Sequence, residues 1–426
     1  MGARRALGAV SLVLAVLATP SAPSVPGRAT SPWRVTRTVL VAPPMAAARG
    51  GQAELLGVDC PPGGGCVAVG DFALRSEVHL PMASRRVSNR WQRAVAIAPP
   101  RSGDQTAYAS LSSVACADAR TCVAVGTYTG HPHGARSGDQ LPMAVVERAG
   151  VWQPAVALTL PPNAHVTGGT AGLPTAVWCT VTGRCTVIGW YWTRAGVTRG
   201  FRIAVELRAG VGGSVGRGVA LPFAPLHGIS PSASDLELYG LACVALGACL
   251  AVGQLNGVPV AQRETRRGWS TPLALPATTR TGGSPLVAVA CAAATRCLAV
   301  GLTFDTLGPT GWTEAPAPSG GASARFNGVA CSSPPRCVAV GDVGGSGPGA
   351  GTIVAVVAAG STRGLRTTLL VGGVPNGGPG PASFAALNGV ACTRSGVCTA
   401  VGTEGGGGGP HIAGFSHPIA TVFSRV

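Results

Sequence analysis

Fourteen cysteines in seven identically spaced pairs, short β-branched runs without a helical period, and a last unit lacking its outer strand predict an all-β fold. The expected architecture is a seven-bladed β-propeller of four-stranded antiparallel blades, closed by an N-terminal strand that completes the last blade. The composition allows it. Of 426 residues, 46% are hydrophobic and 11% charged, which excludes a disordered chain. The 64 Gly keep no period of three, which excludes collagen.

The pairs are Cys60 with Cys66, Cys116 with Cys122, Cys179 with Cys185, Cys243 with Cys249, Cys291 with Cys297, Cys331 with Cys337, and Cys392 with Cys398. None is left over. Their flanks repeat. Leu387-Asn-Gly-Val-Ala-Cys392 reads like Phe326-Asn-Gly-Val-Ala-Cys331 and Leu238-Tyr-Gly-Leu-Ala-Cys243, and the second Cys opens runs such as Cys122-Val-Ala-Val-Gly126. Successive units start between 40 residues apart (Cys291 to Cys331) and 64 residues apart (Cys179 to Cys243). A fixed core at variable spacing means one structural unit with insertions in its loops.

The second unit shows the strands in order. Leu111 to Cys116 is the first, Ala117 to Thr121 a polar turn, and Cys122 to Gly126 the second. Met143 to Glu147 is the third, and the fourth runs from Val151-Trp152 to Leu160, before Pro161-Pro162. Blades taper towards an axis, so inner positions should be small and outer ones large. Gly57, Ser113, Ala176, Gly240, Ala288, Gly328 and Gly389 stand three residues before each first Cys, while fourth strands carry Trp33, Trp91, Trp152, Trp269 and Trp312. The last unit has its third strand at Pro418 to Val422 and no fourth. Trp33 to Pro43 matches the missing piece and should seal the ring. In the fifth unit only ten residues separate Gly301 from Trp312, which predicts a shortened blade with at most a vestigial third strand at Leu302 to Thr306. Its uncovered rim would then be a docking flank for a partner or a second copy.

Residues 1–30 read as a signal peptide and short linker, and residues 31–426 as a single propeller domain. Arg4 and Arg5 precede an apolar run from Ala6 to Ala18, too short to span ~30 Å of hydrocarbon. An uncleaved anchor is the rival reading. The expected location is secreted or cell-envelope, with no transmembrane segment after cleavage and a monomeric chain.

At the level of the repeat, the chain resembles the Asp-box (BNR, sialidase-like) superfamily of propellers, and most of all its photosystem-assembly-factor type. The resemblance covers residues 31–426 and rests on the recurring Ala-Val-Gly element. The Asp box has eroded: Val146-Glu-Arg-Ala-Gly-Val-Trp152 keeps only its Gly and Trp. Sialidase catalysis in that superfamily uses an Arg triad, a Tyr/Glu pair and an acidic Asp. No residue here is placed in those roles, so the resemblance implies the fold and not the activity.

Two Cys bracketing a five-residue hairpin lie within disulfide reach, and export implies that they bond. The rival is zinc, which wants four ligands, whereas each pair supplies two in a separate blade. Disulfides are therefore expected and no metal. In propellers of this type the turn between strands one and two faces away from the binding face. Binding then falls to Thr127 to Gln140, Pro162 to Leu173, Pro222 to Asp235, Asp342 to Gly351 and Thr403 to Pro410.

Asp235, Glu237 and Tyr239 alternate into the fourth inner strand, so two carboxylates and a phenol would share one side. They are the catalytic candidates, against the plainer reading of a solvated strand entrance. His131 and His133, with Asp139, lie on a Pro- and Gly-containing loop that argues against a metal site. No catalytic or phosphate-loop motif occurs, and no cofactor is expected. All 32 basic residues are Arg, and the formal charge is +16. They are scattered among few aromatics, which disfavours specific nucleic-acid binding and favours anionic envelope polymers. The functional expectation is a non-catalytic binding or scaffold propeller recognising an envelope glycan, polymer or protein. A glycosidase-like or lyase-like enzyme is the alternative.

Overall fold

The structure is a computed structural model that describes residues 33–48, 51–101, 108–130, 139–166, 170–207, 214–226, 234–276, 285–308, 310–315, 323–333, 336–344, 353–359, 384–393, 395–406 and 415–425. These residues form seven antiparallel sheets and no helix. Residues 1–30, with the expected signal, lie outside them, as do His131 and His133.

The second blade is representative. Ala109–Asp118 is the inner strand, followed by Thr121–Gly130, Asp139–Arg148 and an outer strand in two pieces, Val151–Trp152 and Val156–Ala157. Both pieces pair with the third strand. Between them Pro154 has no N–H to give the ladder, which interrupts the strand. Strands two and three run further towards the upper face, the one opposite the cysteine hairpins, than the sequence suggests. Thr127–Gly130 and Asp139–Gln140 are ladder rather than loop, as are Asp342–Gly344 and Thr403–Gly406.

The blades close into a ring. The buried apolar residues fall into seven clusters, one at each seam between neighbouring sheets. The seventh seam joins the last sheet to the first, packing Ala391, Val401 and Ala420 against Leu55, Val58 and Phe72. Apolar burial at about 25 cal/mol per Å² thus acts between blades, and each blade depends on two neighbours. The inner strands approach closely at the axis. A methyl group at Gly57 would stand 3.0 Å from Ser113 Cα, one at Gly240 2.9 Å from Ala288 Cα, and one at Gly389 3.3 Å from Gly57 Cα. Small residues recur three positions before each first Cys because backbone meets backbone there.

A second device repeats one residue earlier. The register shifts between Leu55 and Gly57, Leu111 and Ser113, Pro174 and Ala176, Leu238 and Gly240, Phe326 and Gly328, and Leu387 and Gly389. Each shift is a β-bulge that frees one residue from the ladder. In four blades the freed residue ties to the next blade. Ser112 Oγ donates to the Pro174 carbonyl (3.1 Å) and Thr175 Oγ1 to that of Leu238 (2.8 Å). Asn327 Nδ2 donates to the Leu387 carbonyl (3.2 Å) and Asn388 Nδ2 to that of Leu55 (3.0 Å). In the six bulged units the bulge also explains the Gly of Ala-Val-Gly. In every unit a methyl group on that Gly would stand 1.8 to 2.2 Å from a carbonyl oxygen in or just before the first strand, as at Gly253 (1.9 Å from Glu237 O).

The N-terminal strand Trp33–Leu40 pairs antiparallel with Phe415–Arg425, in the register Arg37↔Val422, Thr38↔Thr421, Val39↔Ala420 and Leu40↔Ile419. Thr38 and Thr421 hydroxyls meet at 3.1 Å, and Val41 N donates to the Pro418 carbonyl at 2.8 Å. The last sheet is thereby four-stranded, with the first strand of the chain as its outer edge.

The fifth blade corrects the expectation of a vestige. It has four strands, Ala288–Ala293, Arg296–Val300, Phe304–Gly308 and Gly311–Ala315. Three of them are only five residues long, and Gly308 pairs directly with Gly311, so the connection takes two residues. The third strand starts at Phe304 instead of Leu302 and is completed through Leu307, which pairs with Trp312. The third strand whose loss was expected to uncover the rim is present.

Every cysteine is bonded to the partner that its spacing suggests. Cys60 joins Cys66, Cys116 joins Cys122, Cys179 joins Cys185, and Cys243 joins Cys249. Cys291 joins Cys297, Cys331 joins Cys337, and Cys392 joins Cys398. In six hairpins the two Cys face each other across the ladder of strands one and two, as Cys179 faces Cys185 and Cys243 faces Cys249, and Cys60 and Cys66 lie just beyond the last pair, Asp59↔Val67. The Cα atoms of the bonded pairs lie 3.9 to 4.1 Å apart, and among the described residues no cysteine is free. Seven intrachain disulfides suggest a non-cytosolic protein. No helix of the described residues is long and apolar enough to cross a membrane.

Candidate functional site

Polar side chains gather where the inner strands begin, on the upper face. In the fourth blade, the carboxylate of Glu237 accepts the Tyr239 hydroxyl and Gln254 Nε2 (2.7 Å). Gln254 stands directly opposite Glu237 in the ladder, and its amide also reaches the Tyr239 oxygen at 3.2 Å. Tyr239 occupies the bulge, where other blades carry their tie to the next blade. Burial, and then the Glu237 carboxylate, push its hydroxyl well above the usual phenol range, while the Gln254 amide and then Arg325 of the sixth inner strand pull it back. Asp235 does not join this group. Its Oδ1 accepts Thr198 N (2.8 Å) and Thr198 Oγ1 (3.3 Å), which ties the third blade to the fourth.

A second group spans the first and second blades. Glu54, at the same place in its unit as Glu237, stands opposite Asp71 on strand two. Asp71 is 1% exposed and takes His79 Nδ1 at 2.8 Å on one oxygen and Ser110 Oγ at 2.6 Å on the other. The His79 ring lies 5.4 Å from that of Tyr108, which is 37% exposed. Glu54 is half-buried and makes no hydrogen bond to another described side chain. Burial, then Asp71, raises its pKa from 4.5 to about 7, against a smaller lowering by His79. The hydrogen bond to Asp71 raises that of His79, and burial lifts Tyr108 to about 12.

The sequence singled out Glu237 and Tyr239, which the structure brings together, and Asp235, which it places elsewhere. It missed Gln254, Arg325 and the whole second group. The signal for Glu54 was present: aligning the units on their first Cys puts it level with Glu237.

These shifts fix a pH dependence. A carboxyl raised in the native state keeps its proton where the unfolded chain has lost it, so its contribution falls as pH rises from 4.5 to 7 for Glu54. Asp305, raised from 3.8 to about 7 mainly by burial, acts in the same sense. So does His79, whose contribution is full below 6.5 and is lost through its raised native value. Thermal unfolding should show a midpoint that falls between pH 5 and pH 8. Glu54→Gln should remove up to about 3 kcal/mol of that fall, less whatever solvent screens. A midpoint that rises over this range would contradict the assignment.

Fold and site together define a disulfide-stapled propeller with two polar groups on the face away from its disulfides. No family model and no curated protein matches the sequence. Among solved structures it is similar to YCF48 from Cyanidioschyzon merolae (TM-score 0.48, 13% identity, 91% of this chain and 98% of that one). It is also similar to a polysaccharide lyase of family PL25, an ulvan lyase (TM-score 0.49, 11% identity, 90% and 95%), and to the Hadza microbial sialidase Hz136 (TM-score 0.45, 10% identity, 88% and 66%).

Proposed function

We propose that this is an exported binding propeller that recognises a cell-envelope glycan through its upper face, without catalysis. The supporting observation is the group at the first seam. An exposed Tyr108 ring lies beside a fixed Asp71–His79 pair and a Glu54 carboxyl that makes no hydrogen bond to another described side chain. An aromatic plane flanked by prepositioned polar groups suits a sugar, whose apolar face stacks while its hydroxyls hydrogen-bond. Tyr239 and Glu237 supply a second phenol–carboxyl pair on the same face.

A glycan and envelope-polymer array tests the reading, with the wild type beside Tyr108→Ala. Retention of a glycan by the wild type, weakened about tenfold or more in the variant, is expected. Binding of no glycan, or equal binding by both, overturns it. One observation favours the enzymatic alternative: a Glu54 pKa near 7 suits a general acid at neutral pH. Release of new reducing ends or unsaturated sugars from the bound glycan, abolished by Glu54→Gln, would establish that reading instead.

A further inference from the structure

The ring closes beside a cleft of about 400 Å³ whose walls come from both ends of the circle. One wall is the N-terminal strand, with Arg37 and Leu40. The other is the outer edge of the first blade, with Arg86, Asn89, Arg90 and Trp91. Its charge is one-sided. Three guanidinium groups line it and no carboxylate does, and neither Arg37 nor Arg90 is ion-paired to another described residue.

Neutral groups hold the innermost of the three. Arg86 Nη1 donates to Thr399 Oγ1 (3.3 Å) and Nη2 to Asn89 Oδ1 (3.0 Å), which orients the charge without cancelling it. Burial and the nearby Arg37 both disfavour that charge. The Trp91 indole N–H is also buried without an acceptor among the described residues. Arg90 leaves a tight hairpin in which Ser88 and Asn89 both have left-handed backbone (φ 48° and 63°), the geometry of a rigid two-residue turn. Three like charges around one cleft repel one another, and an anion seated between them relieves that repulsion.

We propose that this cleft binds the anionic group of an acidic polysaccharide, with Arg37, Arg86 and Arg90 around the charge and the Trp91 ring against the sugar. Guanidinium forks match carboxylate and phosphate oxygens in two-point contacts, and the cavity accommodates a unit of sugar size. The ligand bridges the last blade and the first, so it also clamps the seam. The site is separate from the upper face and does not depend on the reading given for it.

The test uses the full mature chain and two double variants that each remove two positive charges. Arg37→Ser with Arg90→Ser removes two of the three charges of the cleft, and Arg266→Ser with Arg267→Ser changes an exposed turn of the fourth blade. Titrations are run with polygalacturonate, with a glycerol-phosphate polymer, with inorganic phosphate and with neutral dextran. At least one acidic polymer should bind the wild type and raise its melting temperature. The cleft variant should lose about tenfold or more in affinity, the turn variant less than about twofold, and dextran should not bind. Which polymer binds separates uronate from phosphate as the source of the charge. Trp91→Phe should abolish a ligand-induced change in tryptophan emission while leaving the melting temperature without ligand near that of the wild type. Equal losses in the two double variants would show diffuse attraction to a basic surface, and no binding by the wild type would show no site. Either result overturns the proposal.

Discussion

Gly253→Ala is expected to destabilise the protein by about 3–5 kcal/mol, or to prevent folding, although it adds a single methyl group on a strand. That methyl would stand 1.9 Å from the Glu237 carbonyl oxygen and 2.8 Å from Leu238 Cα. Both are backbone atoms fixed by the bulge, so neither can turn aside as a side chain would. Gly253 has no left-handed backbone to protect, which isolates the steric cause. Gly308→Ala is the control. Its methyl would meet nothing nearer than the Gly311 oxygen at 3.9 Å, and denaturant unfolding should place it within about 0.5 kcal/mol of the wild type. Similar losses at both positions would remove the explanation of the repeated Ala-Val-Gly.

Removing residues 33–43 should have a still larger effect. The edge of Phe415–Arg425 would lose its ladder partner, and the seam holding Val39, Val41 and Ala420 would open to water. In a ring each blade is supported from both sides, so an opened seam weakens its neighbours as well. The loss should exceed the roughly 5–15 kcal/mol that holds a typical domain together. An exposed strand edge also invites association. Size-exclusion chromatography should therefore show aggregates, and a synthetic peptide of residues 33–43 added during refolding should restore a monodisperse species. A truncated chain as stable as the wild type would mean that the strand is ornamental.

How much of this was legible in the sequence varied with the range of the interaction. The repeat was legible because the Cys-x5-Cys hairpin is local: both partners and the turn between them lie within seven residues. Closure was legible because a unit without a fourth strand and a stray strand before the first unit are complementary absences. The fifth blade was misread from average strand length. Its strands are shorter than average and its hairpin minimal, so Phe304–Gly308 fits where a full-length strand does not. The loop ends were misread because Thr127–Gly130 and Thr403–Gly406 carry polar and Gly residues yet continue the ladder.

The candidate site was only partly legible, for a related reason. Glu237 and Tyr239 are two residues apart and could be paired by inspection. Glu54, Asp71, His79 and Tyr108 come from separate segments of two blades, and only the folded ring brings them together. Alternation along a strand also misled. Asp235 stands just before the strand Leu236–Ala245, where alternation does not reach, and it faces the third blade. The cleft at the seam was the least legible feature, since Arg37 and Arg86 meet only when the first strand of the chain joins the last blade.

That junction is tested most directly by a crosslink. Thr38 and Thr421 are ladder partners 383 residues apart whose hydroxyls lie 3.1 Å from each other. Side chains that close on neighbouring strands are within disulfide reach. In a chain carrying Thr38→Cys and Thr421→Cys, peptide mass mapping without reduction should find the peptide containing residue 38 bonded to the one containing residue 421. The bond should form within the monomer and leave the seven native pairs unchanged. Free thiols at 38 and 421, or a bond that forms only between two molecules, would contradict the closed ring.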